Sequence, residues 1–130
     1  MLTLVLPWPS ASLSPNGGVS RWKHIGAKRA AKKYAWGMTT AAMGPLKIAP
    51  GSWVGPIMVQ YTFHPRQYRN RDDDNFIAAM KAARDGMALA LGINDVHFVT
   101  LPIIWGDKKT GVVEVTLTPA TVVQLRGVVS

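Results

Sequence analysis

The stretch "DDDNFIAAMKAARDGMALALGINDVHFV", residues 72–99, decides the fold, because it carries the most regular helical pattern in the chain and runs directly into a strand pattern. Apolar residues recur in it at helical spacing: Phe76, Ile77, Met80, Ala83, Met87 and Leu91. The spacing predicts a helix over residues 75–91 that Gly92 ends, and the residues after it predict a strand over 96–105.

Strand patterns also occur elsewhere in the chain. Residues 2–8 ("LTLVLPW"), 57–65 ("IMVQYTFHP") and 111–117 ("GVVEVTL") are rich in β-branched, aromatic and aliphatic side chains. Residues 106–111 ("GDKKTG") favour a hairpin turn between the strands before and after them, and residues 120–129 predict a last strand. The alternation in the second of these stretches places four side chains on one face: Ile57, Val59, Tyr61 and Phe63.

A second helix is predicted over residues 21–36, "RWKHIGAKRAAKKYAW", with Ser20 as its N-cap and loops at 9–18 and 43–56. Four basic residues fall within one arc and predict a solvent-facing surface: Lys28, Arg29, Lys32 and Lys33. The opposite side is predicted to pack inward: Ala27, Ala30, Ala31 and Tyr34. Trp22 and Trp36 flank the basic residues and are candidates to stack on bases, although packing at the core or its rim is the expectation for each tryptophan.

The order of elements, β–α–β–α–β–β with a further strand at the end, predicts an α/β or α+β class in which two main helices accompany a small mixed sheet. The length of 130 residues and the hydrophobic content of 48% predict one globular domain over residues 1–130. The absence of cysteine excludes disulfides and thiolate metal sites and fits a reducing compartment. No apolar run approaches the ~20 residues of a membrane helix, so we expect a cytosolic protein without a membrane partner.

Charge is distributed unevenly along the chain. Of the 15 Lys and Arg residues, ten lie in residues 1–71, which contain no acid, and five lie in residues 72–130 together with all seven acids. A half-chain with this excess of positive charge is attracted to a polyanion, so nucleic acid is the first candidate partner and an anionic membrane surface the second.

Three adjacent acids, Asp72, Asp73 and Asp74, follow the basic half although neighbouring carboxylates repel one another. Capping of the helix would use one or two of them. Asp72 and Asp74, two residues apart where a strand gives way to a helix, also suit a hard divalent cation such as Mg²⁺, while Asp73 is expected to serve the helix start. Asp95 either joins that ligand set or is a turn residue after Gly92. The sequence contains no EF-hand loop, HExxH motif, GxSxG elbow or Walker A loop.

The same stretch resembles the central motif of the RusA family of Holliday-junction resolvases. In that family a D-x-D-N sequence opens a helix and a third Asp follows the helix, just before a strand. Asp72, Asp74 and Asn75 match the first part, and Asp95 matches the second. The opening "LVLPWPSASLSPN" is also similar to the family's first strand and proline-rich turn, although the turn is longer here.

The resemblance implies a Mg²⁺-dependent endonuclease, with Mn²⁺ as a substitute ion, that resolves four-way DNA junctions by paired symmetric nicks as a homodimer. It implies an origin in a phage or prophage as well. The implied metal ligands, which are also catalytic, are Asp72, Asp74 and Asp95. The implied DNA contacts are Arg69 and Arg71 together with the basic arc Lys28, Arg29, Lys32 and Lys33. The family often carries a catalytic lysine where Ala78 stands, so Lys81, the nearest lysine, is the candidate for that role.

Two questions stay open at the level of sequence. The ends of an unbroken helix over residues 75–91 would lie roughly 25 Å apart, which would put the start of the segment with Asp95 far from Asp74. Either the helix ends early, near Gly86, and the chain returns, or Asp95 completes a site of the partner in a dimer. The alternative functions are a basic nucleic-acid-binding module whose acids only cap a helix, and a related nuclease for other branched DNA.

Overall fold

The computed structural model describes residues 1–13, 20–67 and 73–120, which form a mixed sheet and three α-helices. The strands are β1 (Leu2–Pro7), β2 (Ile57–His64), β3 (Phe98–Thr100), β4 (Ile104–Trp105) and β5 (Val112–Pro119). The helices are α1 (Arg21–Met43), α2 (Asp73–Ala79) and α3 (Lys81–Leu91), and two short 3₁₀ turns lie at Ala11–Leu13 and Asp95–His97. The predicted mixed α+β class is confirmed.

β2 is the central strand of the sheet. β5 runs antiparallel to it on one side and is flanked in turn by β1, while β3 and β4 lie parallel to it on the other side. The predicted alternation of β2 is confirmed, because Ile57, Val59, Tyr61 and Phe63 are all buried on the face that packs against the helices. Tyr61 is buried deeply enough that desolvation raises the pKa of its hydroxyl.

The predicted hairpin at residues 106–111 is wrong. The strand before this segment, β4, pairs with β2, and the strand after it, β5, pairs with the opposite edge of β2. The segment therefore crosses over the carboxyl end of β2 instead of reversing the chain between neighbours. Gly106 N–H donates to the carbonyl of Phe63, and Gly111 N–H donates to the carbonyl of His64. The crossing is close, since an added Cβ at Gly106 would lie 2.1 Å from the His64 ring.

The first helix begins as predicted but ends later. The Ser20 side chain accepts a hydrogen bond from Lys23 N–H, which confirms the N-cap. The helix continues past Trp36 to Met43 because its buried stripe continues through Ala35, Thr39 and Met43. The buried Thr39 hydroxyl is satisfied by the carbonyl of Ala35 at 2.7 Å.

The packing face of α1 also differs from the prediction in part. Ala27 and Ala31 are half-buried as expected, whereas Ala30 and Tyr34 are exposed. Both line the rim of an apolar groove between α1 and the segment that follows β1. The helix is thus rotated so that its buried stripe faces α3, which is its main neighbour.

The predicted helix over residues 75–91 is interrupted at Met80. The N–H of Met80 is shared between the carbonyls of Phe76 at 3.2 Å and Ile77 at 3.1 Å, and α3 starts at the next residue. The two halves have different neighbours: Phe76 of α2 packs on aromatic rings at the end of the sheet, and α3 packs on α1. Gly92 ends α3 in the left-handed conformation, with φ of 69°, as its position predicted.

The strand predicted over residues 96–105 is divided into β3 and β4 around Leu101, Pro102 and Ile103. The last predicted strand, over residues 120–129, lies almost wholly outside the described part of the chain. Within the described residues, no helix combines the length and hydropathy needed to cross a membrane.

Candidate functional site

The first candidate site lies at the carboxyl end of β2, where α2 begins. Trp105 of β4 lies beside Phe63 in the sheet, and its indole Nε1–H donates a hydrogen bond of 3.0 Å to Asp73 Oδ1. This bond ties the first residue of α2 to the sheet. Asp73 thus has a structural contact, although its partner is a side chain on β4 and not the helix backbone that the sequence suggested.

A cluster of four aromatic rings supports the start of α2. Trp8 lies 5.5 Å from Phe63 and 5.3 Å from Phe76, and Trp105 lies 5.5 Å from Phe63 and 5.3 Å from Phe76, measured between ring centroids. Most of these contacts are edge-to-face, the arrangement that aromatic pairs favour. The backbone that carries the neighbouring carboxylates is therefore held on a packed base.

Asp74 is the second residue of α2, and its side chain is exposed. It forms no hydrogen bond or ion pair with the described residues, so its carboxylate is available to a ligand from solvent. Asp72, Arg69 and Arg71, which the sequence assigns to the metal and to DNA, lie outside the described residues. The structure therefore describes one of the two acids of the D-x-D-N motif.

Asp95, the third predicted ligand, has a different environment. Lys81 Nζ lies 2.8 Å from Asp95 Oδ2 and 2.8 Å from Asp85 Oδ1, so one ammonium joins two carboxylates. Arg84 Nη2 donates to the Asp95 carbonyl at 3.0 Å and lies 3.8 Å from Oδ2. The hydrogen bond that Lys81 donates lowers the pKa of Asp95, and the bonds that Lys81 donates to Asp85 and Asp95 raise the pKa of Lys81. The Asp95 carboxylate is therefore ionised and already paired with two cations.

Asp74 and Asp95 belong to opposite ends of β2. Asp73, next to Asp74, is tied to Trp105, which pairs with Phe63 near the end of the strand. Asp95 precedes β3, whose Phe98 pairs with Ile57 at the start of β2. Six strand positions separate the paired residues Ile57 and Phe63, which is about 20 Å. The early helix end near Gly86 does not occur either, since α3 continues to Leu91.

The metal centre that the resemblance implies fits the described residues only in part. Asp74 offers the hard oxygen donor that Mg²⁺ prefers. No group of three or more His, Asp or Glu side chains suited to hold a metal ion occurs among the described residues. Among the described residues, Asp74 alone of the three predicted ligands has a carboxylate without a partner, and any further ligands would have to come from Asp72, which lies outside them, or from another chain.

The predicted basic arc of α1 lies next to Lys81. All four of its cations are exposed, and Lys28, Arg29 and Lys32 line a groove of about 380 Å³ together with Lys81 and Asp85. The structure thus brings three predicted DNA contacts and the candidate catalytic lysine to one groove between α1 and α3. The spacing of residues in the sequence did not predict that α1 and α3 lie side by side.

Gly86 sets the width of this groove. An added Cβ there would lie 2.2 Å from the carbonyl oxygen of Lys32 and 3.0 Å from the backbone nitrogen of Trp36. The two helix backbones can approach this closely only because residue 86 has no side chain. The glycine therefore fixes the distance between the cations of α1 and Asp85 of α3.

Sequence reasoning missed a second set of residues at the Asp74 end. Arg66 and Gln67 line a cavity of about 450 Å³ with Trp8 and Gly111. Arg66 lies over Gly111, where an added Cβ would come within 2.5 Å of its Nε. The only sequence signal was that Arg66 opens the run of basic residues that precedes the acidic cluster.

Together the fold and these sites define a small mixed α+β protein with an exposed carboxylate at one end of its central strand and a cation-lined groove between its helices. No family model matches the chain. A protein of Xylella fastidiosa (strain Temecula1) is 38% identical over 122 residues, which span 93% of this chain and 78% of the Xylella protein. The chain belongs to the family of that protein, whose own name is "Uncharacterized protein". The shared family carries no activity with it.

Proposed function

We propose that this protein is a Mg²⁺-dependent endonuclease that nicks branched DNA, as the resemblance to the RusA resolvases implies. The observation that carries the proposal is Asp74. It is an exposed carboxylate with no bonding partner among the described residues, and it stands on a helix start that is anchored by Asp73, Trp105 and the aromatic cluster. An exposed carboxylate on an anchored helix start, with no cation paired to it in the described part of the chain, suits a metal-dependent hydrolase.

The basic groove supports DNA as the substrate. Lys28, Arg29 and Lys32 of α1 reach solvent on one side of the groove and Lys81 on the other. Phosphate oxygens bound there would displace the contacts that Lys81 makes with Asp85 and Asp95, or share its ammonium with them. In this proposal the protein contacts the phosphate backbone of the DNA. Such contacts suit a protein that selects the shape of a junction.

The metal ion would supply the reactive chemistry when bound, by activating a water and stabilising charge on the leaving 3′-oxygen. Asp74 would hold that ion together with Asp72, which the resemblance pairs with it. Asp73 is not among the proposed ligands, and its Oδ1 accepts the Trp105 bond that ties α2 to the sheet. The arginines of residues 66–71 precede the site in sequence and contact the flanking phosphates in this scheme.

Asp95 joins the site across a two-fold symmetric dimer in our proposal. Within one chain the neighbours of the two acids pair with opposite ends of β2, and in the proposed dimer a second copy presents its Asp95 to the Asp74 of the first. A four-way junction has approximate two-fold symmetry, and a C₂ dimer would place two equivalent sites on it.

A nicking assay on a synthetic four-way junction tests the proposal. Wild-type protein should produce paired symmetric nicks with Mg²⁺ or Mn²⁺ and none with EDTA. Asp74→Asn should bind the junction without metal at least as tightly as wild type, because a charge that repels phosphate is removed, yet fail to nick it. Asp107→Asn is the matched control, since Asp107 is an exposed aspartate on the segment between β4 and β5. Equal nicking by a folded Asp74→Asn protein would contradict the proposal.

A second candidate is a DNA-binding module without catalysis. The pairing of Asp95 with Lys81 and Arg84 favours it, since a carboxylate bound to two cations is a poor metal ligand. The same assay separates the two, because this candidate predicts binding with no metal-dependent nicking. Competition between the junction and a flap or splayed duplex identifies a nuclease that prefers other branched DNA.

A further inference from the structure

The tryptophans of the described chain fall into two environments. Trp8, Trp53 and Trp105 pack against the main core. Trp22 is 81% exposed, which is contrary to the expectation that each tryptophan packs at the core or its rim, and Trp36, at 44% exposed, lies at the rim with part of its indole in solvent. An indole that packing does not explain is a candidate contact for a partner.

Both exposed indoles lie on the same face of α1 as two cations. Trp22, Arg29, Lys33 and Trp36 are separated by seven, four and three positions, which is the spacing of one helix face. All four side chains are exposed, and α1 contains no acidic residue. The two indoles stand 14 positions apart, or ~21 Å along the helix axis. We call this face the outer stripe.

We propose that the outer stripe binds an unpaired DNA strand, with bases stacked on Trp22 and Trp36 and phosphates bound by Arg29 and Lys33. The inference rests on DNA as the substrate but not on cleavage. Alternating rings and cations match the two chemistries that every single-stranded nucleotide presents, a flat base and a charged phosphate. A span of ~21 Å equals about six nucleotides at the 3.4 Å spacing of a stacked strand, and fewer when the bases are drawn apart.

Other occupants fit the outer stripe less well. Bases of an intact duplex are stacked inside it, so a duplex would use the cations and leave the indoles without a role. A membrane-bound helix needs a continuous apolar face, whereas Arg29 and Lys33 stand between the two rings. A second copy would bring like charges together, since the stripe carries only positive charge.

The groove and the outer stripe meet at Arg29. Lys28 and Lys32 line the groove toward α3 together with Arg29, whereas Lys33, Trp22 and Trp36 of the outer stripe lie outside it. A branched substrate offers both a duplex arm and a strand that is unpaired at or near the branch. In this arrangement the groove holds the arm and the outer stripe selects the unpaired strand.

The test measures binding of the full-length protein to fluorescent oligo-dT and to a duplex of equal length, by anisotropy in EDTA so that no nicking occurs. Trp22→Leu and Trp36→Leu should each weaken oligo-dT binding by roughly 5- to 150-fold, the range of one base stacked on an aromatic ring, and change duplex binding by less than twofold. Trp22→Tyr should restore most of the loss. Tyr34→Leu is the matched control, because Tyr34 is an exposed aromatic residue of α1 outside the stripe.

Unchanged oligo-dT binding in both tryptophan variants would overturn the inference. So would equal losses for oligo-dT and duplex, or indoles needed instead for binding to anionic lipid vesicles or for self-association. Loss of oligo-dT binding in a protein that never nicks a junction would refute the proposed nuclease and leave this inference standing. Normal nicking with unchanged strand binding in both variants would refute this inference and leave the proposed nuclease standing.

Discussion

The carboxylates of Asp74 and Asp95, near the two ends of β2, have opposite environments. At the carboxyl end, Asp73 takes the bond from Trp105 and leaves Asp74 exposed without a partner in the described chain. At the amino end, Lys81 and Arg84 neutralise Asp95 before any ligand arrives. The environment of Asp74 suits a carboxylate that binds a metal ion from solvent. The environment of Asp95 suits a carboxylate with a structural role, which changes only when a ligand displaces Lys81 and Arg84. Asp74 and Asp95, which both match the family motif, therefore differ in whether a cation is paired with their carboxylate in the described chain.

The largest expected effect comes from removing each carboxylate in turn. Asp74→Asn should lower the nicking rate by more than about 100-fold, because loss of groups that only support metal ligands already costs about 10- to 100-fold. Its thermal stability should be unchanged, since the side chain has no described partner. Asp95→Asn should lower nicking too, but it should also lower the melting temperature, because Lys81 and Arg84 lose a partner. Matching stability profiles for the two variants would remove the contrast between the ends.

The groove beside the Asp95 end gives the next effect. Lys28→Gln with Lys32→Gln should flatten the dependence of duplex affinity on salt by about two contacts' worth of slope, since each phosphate contact releases about one counterion. The matched control is Lys47→Asn with Lys109→Asn, which removes the same charge from exposed positions with φ of 55° and 53° that asparagine tolerates. Equal slopes for the two double variants would mean that net charge and not the groove attracts DNA.

The space around two glycines of the helices predicts that replacement by alanine changes the stability of the protein in opposite directions. Gly86→Ala should destabilise the protein, because overpacking against the Lys32 carbonyl costs about 1–3 kcal/mol and exceeds the gain in helix propensity of about 1 kcal/mol. Gly37→Ala, which meets no atom within 4 Å, should stabilise it by up to about 1 kcal/mol. Urea unfolding measures both. A stabilised Gly86→Ala protein would show that the two helices separate easily.

The smallest effect is the pH dependence of the Lys81–Asp95 pair. The pKa of Asp95 is lowered in the folded protein, so its contribution to stability is complete above the ordinary aspartate pKa and is lost as pH falls through the folded value. The difference in melting temperature between wild type and Lys81→Gln should therefore be constant near neutral pH, shrink in acid as Asp95 is protonated, and shrink at strongly alkaline pH as Lys81, whose pKa is raised, loses its proton. It should be small, since Lys81 is largely exposed and such pairs are screened by solvent.

Local pattern predicted much of the fold. The alternation in β2, the Ser20 cap and the Gly92 stop each depend on residues within a few positions of one another, and all three are present. The crossing of residues 106–111 over β2 was not predictable in this way, because hairpin and crossover share the same turn residues and differ only in which strands pair. The break at Met80 likewise has no glycine or proline to signal it.

The candidate site was predicted less completely. The sequence identified Asp74, Asp95 and Lys81 by their resemblance, but it did not indicate that Lys81 pairs with Asp95 and not with Asp74. That pairing depends on the return of the chain after Gly92, which is a property of the tertiary structure. The exposure of Trp22 was missed because composition favours packed tryptophans and says nothing about which face of a helix a neighbour covers.

The most direct test of the account is a mixture of two inactive variants. Asp74→Asn and Asp95→Asn subunits are combined, allowed to exchange, and assayed for Mg²⁺-dependent nicking of a four-way junction. If Asp74 of one copy and Asp95 of the other form one site, a mixed dimer keeps one intact site, and the mixture should nick a single strand although neither parent does. A mixture as inactive as its parents, or full nicking by Asp95→Asn alone, would contradict the claim that the two ends of β2 act together across the dimer.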